Sequence, residues 1–191
     1  VSGGVVTISY AVSEGCIATY PVTVNAVPPI TGIRNLCAWG DTVTVHNTDG
    51  TGIYSSTMVT VANLGSGNAR VTSSVPGTGT VSYTSASGCT TSTTVTVNPP
   101  PGAITGATSI CAGGSSTLSC SPGGGTWSSG ATGFATVGSV SGIVSGIAAG
   151  TARISYTLPT GCKTDTAFYV NPLPAGITGW GSIITVGTSS T

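Results

Sequence analysis

Short runs in which apolar and polar residues alternate follow one another along the whole chain. In the run Val95-Thr96-Val97, for example, the two valines fall on one side and the threonine on the other, and residues 22–24 repeat this pattern. A period of two is typical of a β-strand with one buried face. No segment shows a helical apolar stripe with a cap. The pattern therefore predicts an all-β protein.

The runs themselves recur with a period of 73 residues, which separates Tyr10 from Tyr83 and Tyr83 from Tyr156. Internal repetition at a fixed spacing indicates a tandem array of similar modules. We predict four segments. They are the back part of one repeat (1–26), two complete repeats (27–99 and 100–172) and the front part of another repeat (173–191). Because the repeats at both ends are partial, we expect a window from a longer protein, or partial repeats that neighbouring molecules complete.

Each complete repeat has room for about seven short strands, with an aromatic residue early and a cysteine near each end. The aromatic residue is Tyr54 in one repeat and Trp127 in the next. Many short strands separated by regularly spaced turns are typical of immunoglobulin-like sandwiches. We therefore predict tandem immunoglobulin-like β-sandwich repeats of about 73 residues.

The composition narrows the classes of partner. Charged residues make up 4% of the 191 residues, whereas Ser and Thr together supply 60 and Gly supplies 30. A surface so poor in Lys and Arg argues against nucleic acid and anionic membranes as partners. No apolar run approaches the roughly 18 residues needed to span a bilayer, so we expect no membrane insertion. Low net charge favours association, and neighbouring copies or adjacent repeats are the expected partners.

The residues that usually carry chemistry are few and scattered. His46 is the only histidine, and Asp49 three residues later fits a turn better than a catalytic triad. Paired carboxylates for glycoside hydrolysis and oxygen clusters for calcium both need several acidic residues together. The four acidic residues lie far apart: Glu14, Asp41, Asp49 and Asp165. We predict no enzyme activity, catalytic residue, cofactor or metal site.

Two stretches of the second complete repeat, Phe134–Val137 and Gly142–Ile154, resemble the signature of bacterial immunoglobulin-like group 2 repeats. That family builds the stalks of surface adhesins such as intimins and invasins. The cysteine near each end of the repeat and the linker 170–174 resemble arrays in large surface proteins of Gram-negative bacteria that use type IX secretion. The resemblance covers essentially the whole chain and is weakest between Met58 and Val75. It implies an extracellular, cell-surface protein.

Because each complete repeat has a cysteine near each end, we expect one disulfide in each: Cys37–Cys89 and Cys111–Cys162. Loops of this size would stabilise each repeat by about 4 kcal/mol in the chain-entropy model. Reduced, buried thiols are the alternative. The lack of any C-x-x-C pair favours long-range disulfides and an oxidising, exported setting. We expect Cys16 to pair within the missing front of its own repeat. Cys120 has no counterpart, and we expect a small core residue there, with an unusual cross-link as the alternative.

Three further features stand near the repeat boundaries. Proline-rich joints follow each last strand and favour a stiff rod over a plain linker. The triplets that contain Thr42 and Thr166, each preceded by Asp, resemble the O-glycosylation acceptor of these bacteria. Each threonine is also an ordinary strand residue. Trp39 and Trp180 lie near repeat junctions, where packing between neighbours and sugar stacking are both open.

Together these observations predict a structural repeat segment of an extracellular filament or surface stalk. Its function would be to provide length, stiffness and self-association without catalysis. Two alternatives stay open. One is an adhesin module that binds extracellular polysaccharide or another cell, and the other is the accessory stalk of a secreted hydrolase.

Overall fold

The structure is a computed structural model that describes residues 3–176, and the regular secondary structure in these residues is β-strand. The strands are short and follow one another closely along the chain. They are β1 (Gly4–Ala11), β2 (Ile17–Val24), β3 (Thr31–Gly32), β4 (Asn35–Cys37), β5 (Thr42–His46), β6 (Ile53–Ser56), β7 (Thr60–Gly65), β8 (Asn68–Thr72), β9 (Gly77–Thr84), β10 (Thr90–Asn98), β11 (Ser109–Cys111), β12 (Ser115–Thr117), β13 (Thr126–Ser129), β14 (Ala135–Val137), β15 (Ile143–Gly146), β16 (Gly150–Thr157) and β17 (Lys163–Asn171).

The described residues divide into two compact units. The first consists of residues 3–103, 121–126 and 156–164, and the second of residues 104–120, 127–155 and 165–176. The predicted repeat boundaries at residues 27, 100 and 173 stay predictions. Most of the predicted last segment, including Trp180, lies outside the described residues.

The first unit contains a β-sandwich of two four-stranded sheets. One sheet has the strand order β4-β10-β9-β6 and the other β3-β5-β8-β7. Alternate residues are buried in β5, β8, β9 and the second half of β10, because the pleat points alternate side chains into the space between the sheets. The shared core comprises Ile30, Leu36, Ala38, Val43, Val45, Tyr54, Val59, Ala69, Val71, Val81, Tyr83, Val95 and Val97. The alternation in the sequence thus predicted the buried face correctly.

Tyr83 fixes one end of this core through its ring and its hydroxyl group. The ring makes an edge contact with the ring of Tyr54, with centroids 4.9 Å apart. The hydroxyl accepts a hydrogen bond from the backbone N–H of Gly52 at 2.6 Å and donates one to Asp49 Oδ2 at 3.1 Å. A fully buried tyrosine needs such partners for its polar end, and these bonds hold the loop that carries Asp49 against β9.

Tyr156, one period later in the sequence, is anchored in the same way. Its hydroxyl accepts a hydrogen bond from the backbone N–H of Gly125 at 2.7 Å and donates one to the carbonyl oxygen of Pro122 at 2.9 Å. The acceptor here is a backbone carbonyl, where Tyr83 uses a carboxylate. The anchoring role is therefore kept while the chemistry of the partner changes.

The first unit also contains a two-stranded sheet, the hairpin β1–β2. Its antiparallel register runs from Gly4 opposite Val24 to Ala11 opposite Ile17. Its sequence is similar to that of β9–β10, with Ile8 and Tyr10 in the places of Val81 and Tyr83, yet its apolar residues are exposed. Ile8 is 59% exposed and Tyr10 is 69% exposed, whereas Val81 and Tyr83 are 0% exposed.

The second unit contains most of two further sheets, with strand orders β11-β17-β16-β13 and β12-β15-β14. Trp127 is buried, as expected for the core aromatic residue of a sandwich. Its indole lies over Gly142, where an added Cβ atom would come within 3.1 Å of the ring. The other buried apolar residues of this unit are Leu118, Ala135, Val144, Ala152, Ile154, Phe168 and Val170.

Candidate functional site

The candidate site lies in the first unit, where two cysteines meet beside Asn98. Strand β4 pairs with β10 in parallel, so that Cys37 lies opposite Asn98. The backbone N–H of Ala38 donates a hydrogen bond to the carbonyl oxygen of Asn98 at 2.9 Å. Cys162 comes from the turn between β16 and β17, and its Sγ lies 4.0 Å from the same oxygen. Cys37 and Cys162 form a disulfide, with a Cα–Cα distance of 5.6 Å and a sequence separation of 125 residues.

The expected Cys37–Cys89 disulfide is wrong, and the length of one strand explains why. Cys37 lies beside Asn98 at the end of β10, whereas Cys89 immediately precedes Thr90 at its start. The nine residues of β10 span about 26 Å at the usual rise of a strand. A disulfide needs Cα atoms within about 7 Å of each other. The two cysteines of this predicted repeat are therefore at opposite ends of the sandwich.

The expected Cys111–Cys162 disulfide is wrong for the same reason. Cys111 lies opposite Asn171 at the end of β17, and Cys162 precedes the start of that strand. Cys16, Cys89 and Cys111 are not in disulfides; Cys16 and Cys111 are exposed, and Cys89 is half-buried. Cys120 is half-buried, and its role as a small core residue stays a prediction.

A shallow recess of about 390 Å³ borders the disulfide. We call its lining the junction. The junction residues are Cys37, Ala38, Trp39, Gly40, Asp41, Pro100, Gly161 and Lys163. Asp41 stabilises the loop, because Oδ2 accepts a hydrogen bond from Cys37 N at 3.0 Å and Oδ1 accepts one from Thr42 N at 2.9 Å.

Trp39 is the most prominent side chain of the junction. It is 66% exposed, and its backbone adopts the left-handed conformation with φ of 59°. Residues other than glycine rarely adopt this conformation. The N–H of Trp39 donates a hydrogen bond to the carbonyl oxygen of Ser73 at 3.2 Å, which keeps the loop in place. The indole is thus held at the surface beside the disulfide.

The two predicted glycosylation residues lie in different surroundings. Thr42 is the first residue of β5 and is exposed next to the junction. Thr166 is half-buried in the middle of β17. The preceding Asp165 forms an ion pair with Arg153 at 2.6 Å, and this hydrogen-bonded carboxylate raises the pKa of the Arg153 guanidinium. Modification of either threonine stays a prediction.

The residues considered for catalysis make structural contacts instead. His46 Nδ1 lies 3.1 Å from Asn68 Oδ1. The hydroxyl of Thr51 donates a hydrogen bond to Asp49, which together with the bond from Tyr83 holds the pKa of this carboxyl below its usual value. Burial and the nearby Tyr83 raise the pKa of Tyr54 to about 12.

Two properties of residues 3–176 bear on ligand and membrane binding. No three His, Cys, Asp or Glu side chains in this part of the chain are grouped so that they could hold a metal ion. The same residues form no helix long and apolar enough to cross a bilayer.

The sequence analysis missed the role of Asn98. A Val-Asn pair recurs with the period of the repeat, at residues 24–25, 97–98 and 170–171, and the structure makes Asn98 the point where Cys37 and Cys162 meet. No sequence pattern signals the parallel pairing of β4 with β10, which places the early cysteine, Cys37, at the end of β10. The late cysteine, in the turn before that strand, is then out of reach.

No protein-family model matches this sequence, and no curated protein sequence matches it. The structure is similar to the C-terminal 282-residue fragment of intimin, solved in complex with the intimin-binding domain of the translocated intimin receptor. The TM-score is 0.54 at 19% identity, over 77% of this chain and 64% of that fragment. This chain thus spans less than two thirds of the intimin fragment.

Two other solved structures match at lower similarity. The adhesin InvE of Yersinia pseudotuberculosis gives a TM-score of 0.29 at 16% identity, over 74% of this chain and 58% of InvE. The tandem Ig repeats of Dlar give 0.32 at 11% identity, over 77% of this chain and 99% of Dlar. Scores this low carry no argument about function. The chain is an all-β protein with an immunoglobulin-like sandwich fold.

Proposed function

We propose that this chain is a structural repeat segment of an extracellular filament or surface stalk. The observation that carries the proposal is the Cys37–Cys162 disulfide, whose cysteines belong to the predicted repeats 27–99 and 100–172. A bond between successive modules serves an array whose modules must stay in line. Disulfides persist in oxidising compartments outside the cytoplasm, which supports an exported, cell-surface location.

The proposed domain organisation follows the sequence period. The hairpin β1–β2 supports the assignment of residues 1–26 to the back part of a repeat, because the residues equivalent to the core positions Val81 and Tyr83 are exposed there. The partners we propose are adjacent repeats of the same protein or neighbouring copies of it. Because charged residues make up only 4% of the chain, electrostatic repulsion between copies is weak, which favours such contacts.

Immunogold labelling of intact producing cells tests this function. We expect antibodies against the chain to label fibres or stalks on the outside of the cell without permeabilisation. Labelling only after permeabilisation, with gold confined to the cell interior, would overturn the proposal. Pre-immune serum is the control for unspecific binding to the surface.

A second candidate function, an adhesin module that binds polysaccharide or another cell, is favoured by one observation. Trp39 presents an exposed indole beside the junction recess, and aromatic faces provide apolar area together with a polar N–H group. A glycan array or a cell-adhesion assay with the purified chain tests it. Binding that disappears in Trp39→Ala and persists in the exposed-aromatic control Tyr20→Ala would favour the adhesin. No binding by the unchanged chain would leave the stalk as the function.

A further inference from the structure

Cys111 occupies the same structural position as Cys37, although only Cys37 is bonded. Both cysteines end a short strand that pairs in parallel with the longest strand of its sheet, β4 with β10 and β11 with β17. Cys37 lies opposite Asn98, and Cys111 lies opposite Asn171. Asn98 and Asn171 are 73 residues apart, so the register of the repeat is preserved.

The loops that follow these two cysteines also match bond for bond. Ala38 N donates to Asn98 O at 2.9 Å, and Ala112 N donates to Asn171 O at 2.9 Å. The next residue has a left-handed backbone in both loops, with φ of 59° at Trp39 and 81° at Gly113. Cys111 is therefore presented with the backbone geometry that Cys37 has in its disulfide.

The partner position is repeated as well. Cys162 Sγ lies 4.0 Å from the carbonyl oxygen of Asn98, and Cys89 Sγ lies 3.8 Å from the carbonyl oxygen of Asn25. Asn25 and Asn98 are also separated by 73 residues. A thiol in the position of Cys89 or Cys162 thus meets the asparagine that ends the preceding repeat, where the early cysteine of that preceding repeat lies.

We propose that Cys111 and Cys89 are halves of two further disulfides that continue the series begun by Cys37–Cys162. Cys111 bonds to the late cysteine of the repeat that follows, and Cys89 bonds to the early cysteine of the repeat before. The partner in each case is a cysteine thiol of a neighbouring immunoglobulin-like repeat. The inference rests on the proposed function, since it requires repeats in series.

Formation of the bond needs a disulfide oxidant, for which we name glutathione disulfide. The thiolate of Cys111 attacks one sulfur of the oxidant, forms a mixed disulfide and releases one glutathione thiolate. The thiolate of the partner cysteine then attacks the Cys111 sulfur and releases the second glutathione. Two thiols are oxidised to one disulfide, one disulfide is reduced to two glutathione molecules, and the proton of each cysteine passes to a released thiolate.

The test is a chain with one repeat inserted. A second copy of residues 100–172 follows residue 172, so that the new joint Asn171-Pro172-Pro100-Pro101 has the same residues as the natural joint at 98–101. The inserted copy carries Thr160→Ser, which lowers the mass of its Cys162 peptide. The protein is folded in a glutathione redox buffer, its free thiols are blocked, and it is cleaved after Arg and Lys without reduction.

We expect the lighter 154–163 peptide to be joined to the peptide 71–153, which contains the original Cys111. Cys111→Ser in the original repeat should abolish this link and leave the link between Cys37 and the unmodified Cys162. The matched control Cys16→Ser should keep both links. A lighter peptide joined to the inserted repeat's own Cys111 peptide, or with its thiol blocked as free, would overturn the inference.

A second arm distinguishes the source of the partner thiol. The unchanged chain is oxidised in the same buffer at increasing protein concentration and its mass is measured without reduction. Covalent dimers that depend on Cys111 assign the partner to a second copy, whereas a monomer together with the expected link in the extended chain assigns it to the same polypeptide. Absence of the Cys111 link in both arms overturns the inference. Cell labelling, which tests the stalk, is independent of either result.

Discussion

The hairpins β1–β2 and β9–β10 have similar alternating sequences and opposite surroundings. Both are regular antiparallel ladders with closely similar turns, in which Val12 N donates to Cys16 O and Ser85 N donates to Cys89 O. Tyr83 is buried against a second sheet, whereas Tyr10 is 69% exposed. The comparison teaches that alternation specifies the strand and its apolar face, while burial depends on whether another sheet covers that face.

The largest expected effect is on the stability of the sandwich, when the buried Tyr83 of β9 is replaced. We expect Tyr83→Ala to lower the free energy of unfolding by about 3–5 kcal/mol, because it leaves a cavity in the core and removes hydrogen bonds to Gly52 and Asp49. The equivalent change Tyr10→Ala should stay within about 0.5 kcal/mol, as exposed substitutions usually do. Urea denaturation of both variants measures the difference. Equal losses would mean that the hairpin β1–β2 is covered in solution.

The next effect concerns the turns of the hairpins β1–β2, β9–β10 and β16–β17, which carry Cys16, Cys89 and Cys162. Of these three cysteines, Cys162 is the one in a disulfide. We expect Cys37→Ser, which frees Cys162, to lower the free energy of unfolding by about 2–5 kcal/mol, since a closed loop of this size restricts the unfolded chain. Thermal and urea unfolding under oxidising conditions measure it. Cys16→Ser, in the exposed hairpin, should leave stability unchanged, and adding a reductant to the unchanged chain should reproduce the Cys37→Ser result.

A smaller effect is expected at the turn glycines. Gly15 and Gly88 both have φ of 82°, and a Cβ atom at either position would meet nothing within 4 Å. Gly88→Ala should therefore cost only the left-handed strain, about 1–2 kcal/mol, in the unfolding of the sandwich. Gly15→Ala should not affect the sandwich transition, because its hairpin adds nothing to that core. A shared loss would show that the two hairpins unfold together.

The smallest expected effect is a difference in the pH dependence of stability, because the hydroxyl of Tyr83 donates to a carboxylate and that of Tyr156 to a backbone carbonyl. Folding lowers the pKa of Asp49 below its usual value, so its contribution to stability is present above the unfolded pKa and is lost as the pH falls through the folded pKa. Tyr156 instead bonds to a backbone carbonyl, which does not titrate. We expect Asp49→Asn to flatten the acid limb of a stability–pH curve. An unchanged acid limb in this variant would show that the titration of Asp49 does not cause the loss of stability at low pH.

The sequence predicted those features that depend on neighbouring residues along one strand. Val95 and Val97 are buried as their alternation indicates, and Trp127 fills the core position expected of it. The disulfide pairing failed because the repeat defines the position of a cysteine within its module but not the end of the sandwich at which it emerges. That end is decided by the parallel pairing of β4 with β10, a three-residue contact without a sequence signal of its own.

The exposure of the first hairpin could not be predicted from its residues either. Ile8 and Tyr10 have the same alternation as Val81 and Tyr83, so nothing local distinguishes them. Trp39 lines the recess beside the disulfide, while the repeat boundary expected near it stays a prediction. Its left-handed backbone depends on the hydrogen bonds of the surrounding loop and was not foreseeable.

The bond between Cys37 and Cys162 gives the polypeptide two covalent routes between these positions. One runs through the 125 residue steps of backbone, and the other crosses a single pair of sulfur atoms. A protease that cuts any loop between the two cysteines would thus leave the molecule in one covalent piece. Tension applied to the outer segments would pass through the sulfur bridge, and the strands from β5 to β16 would be shielded from it.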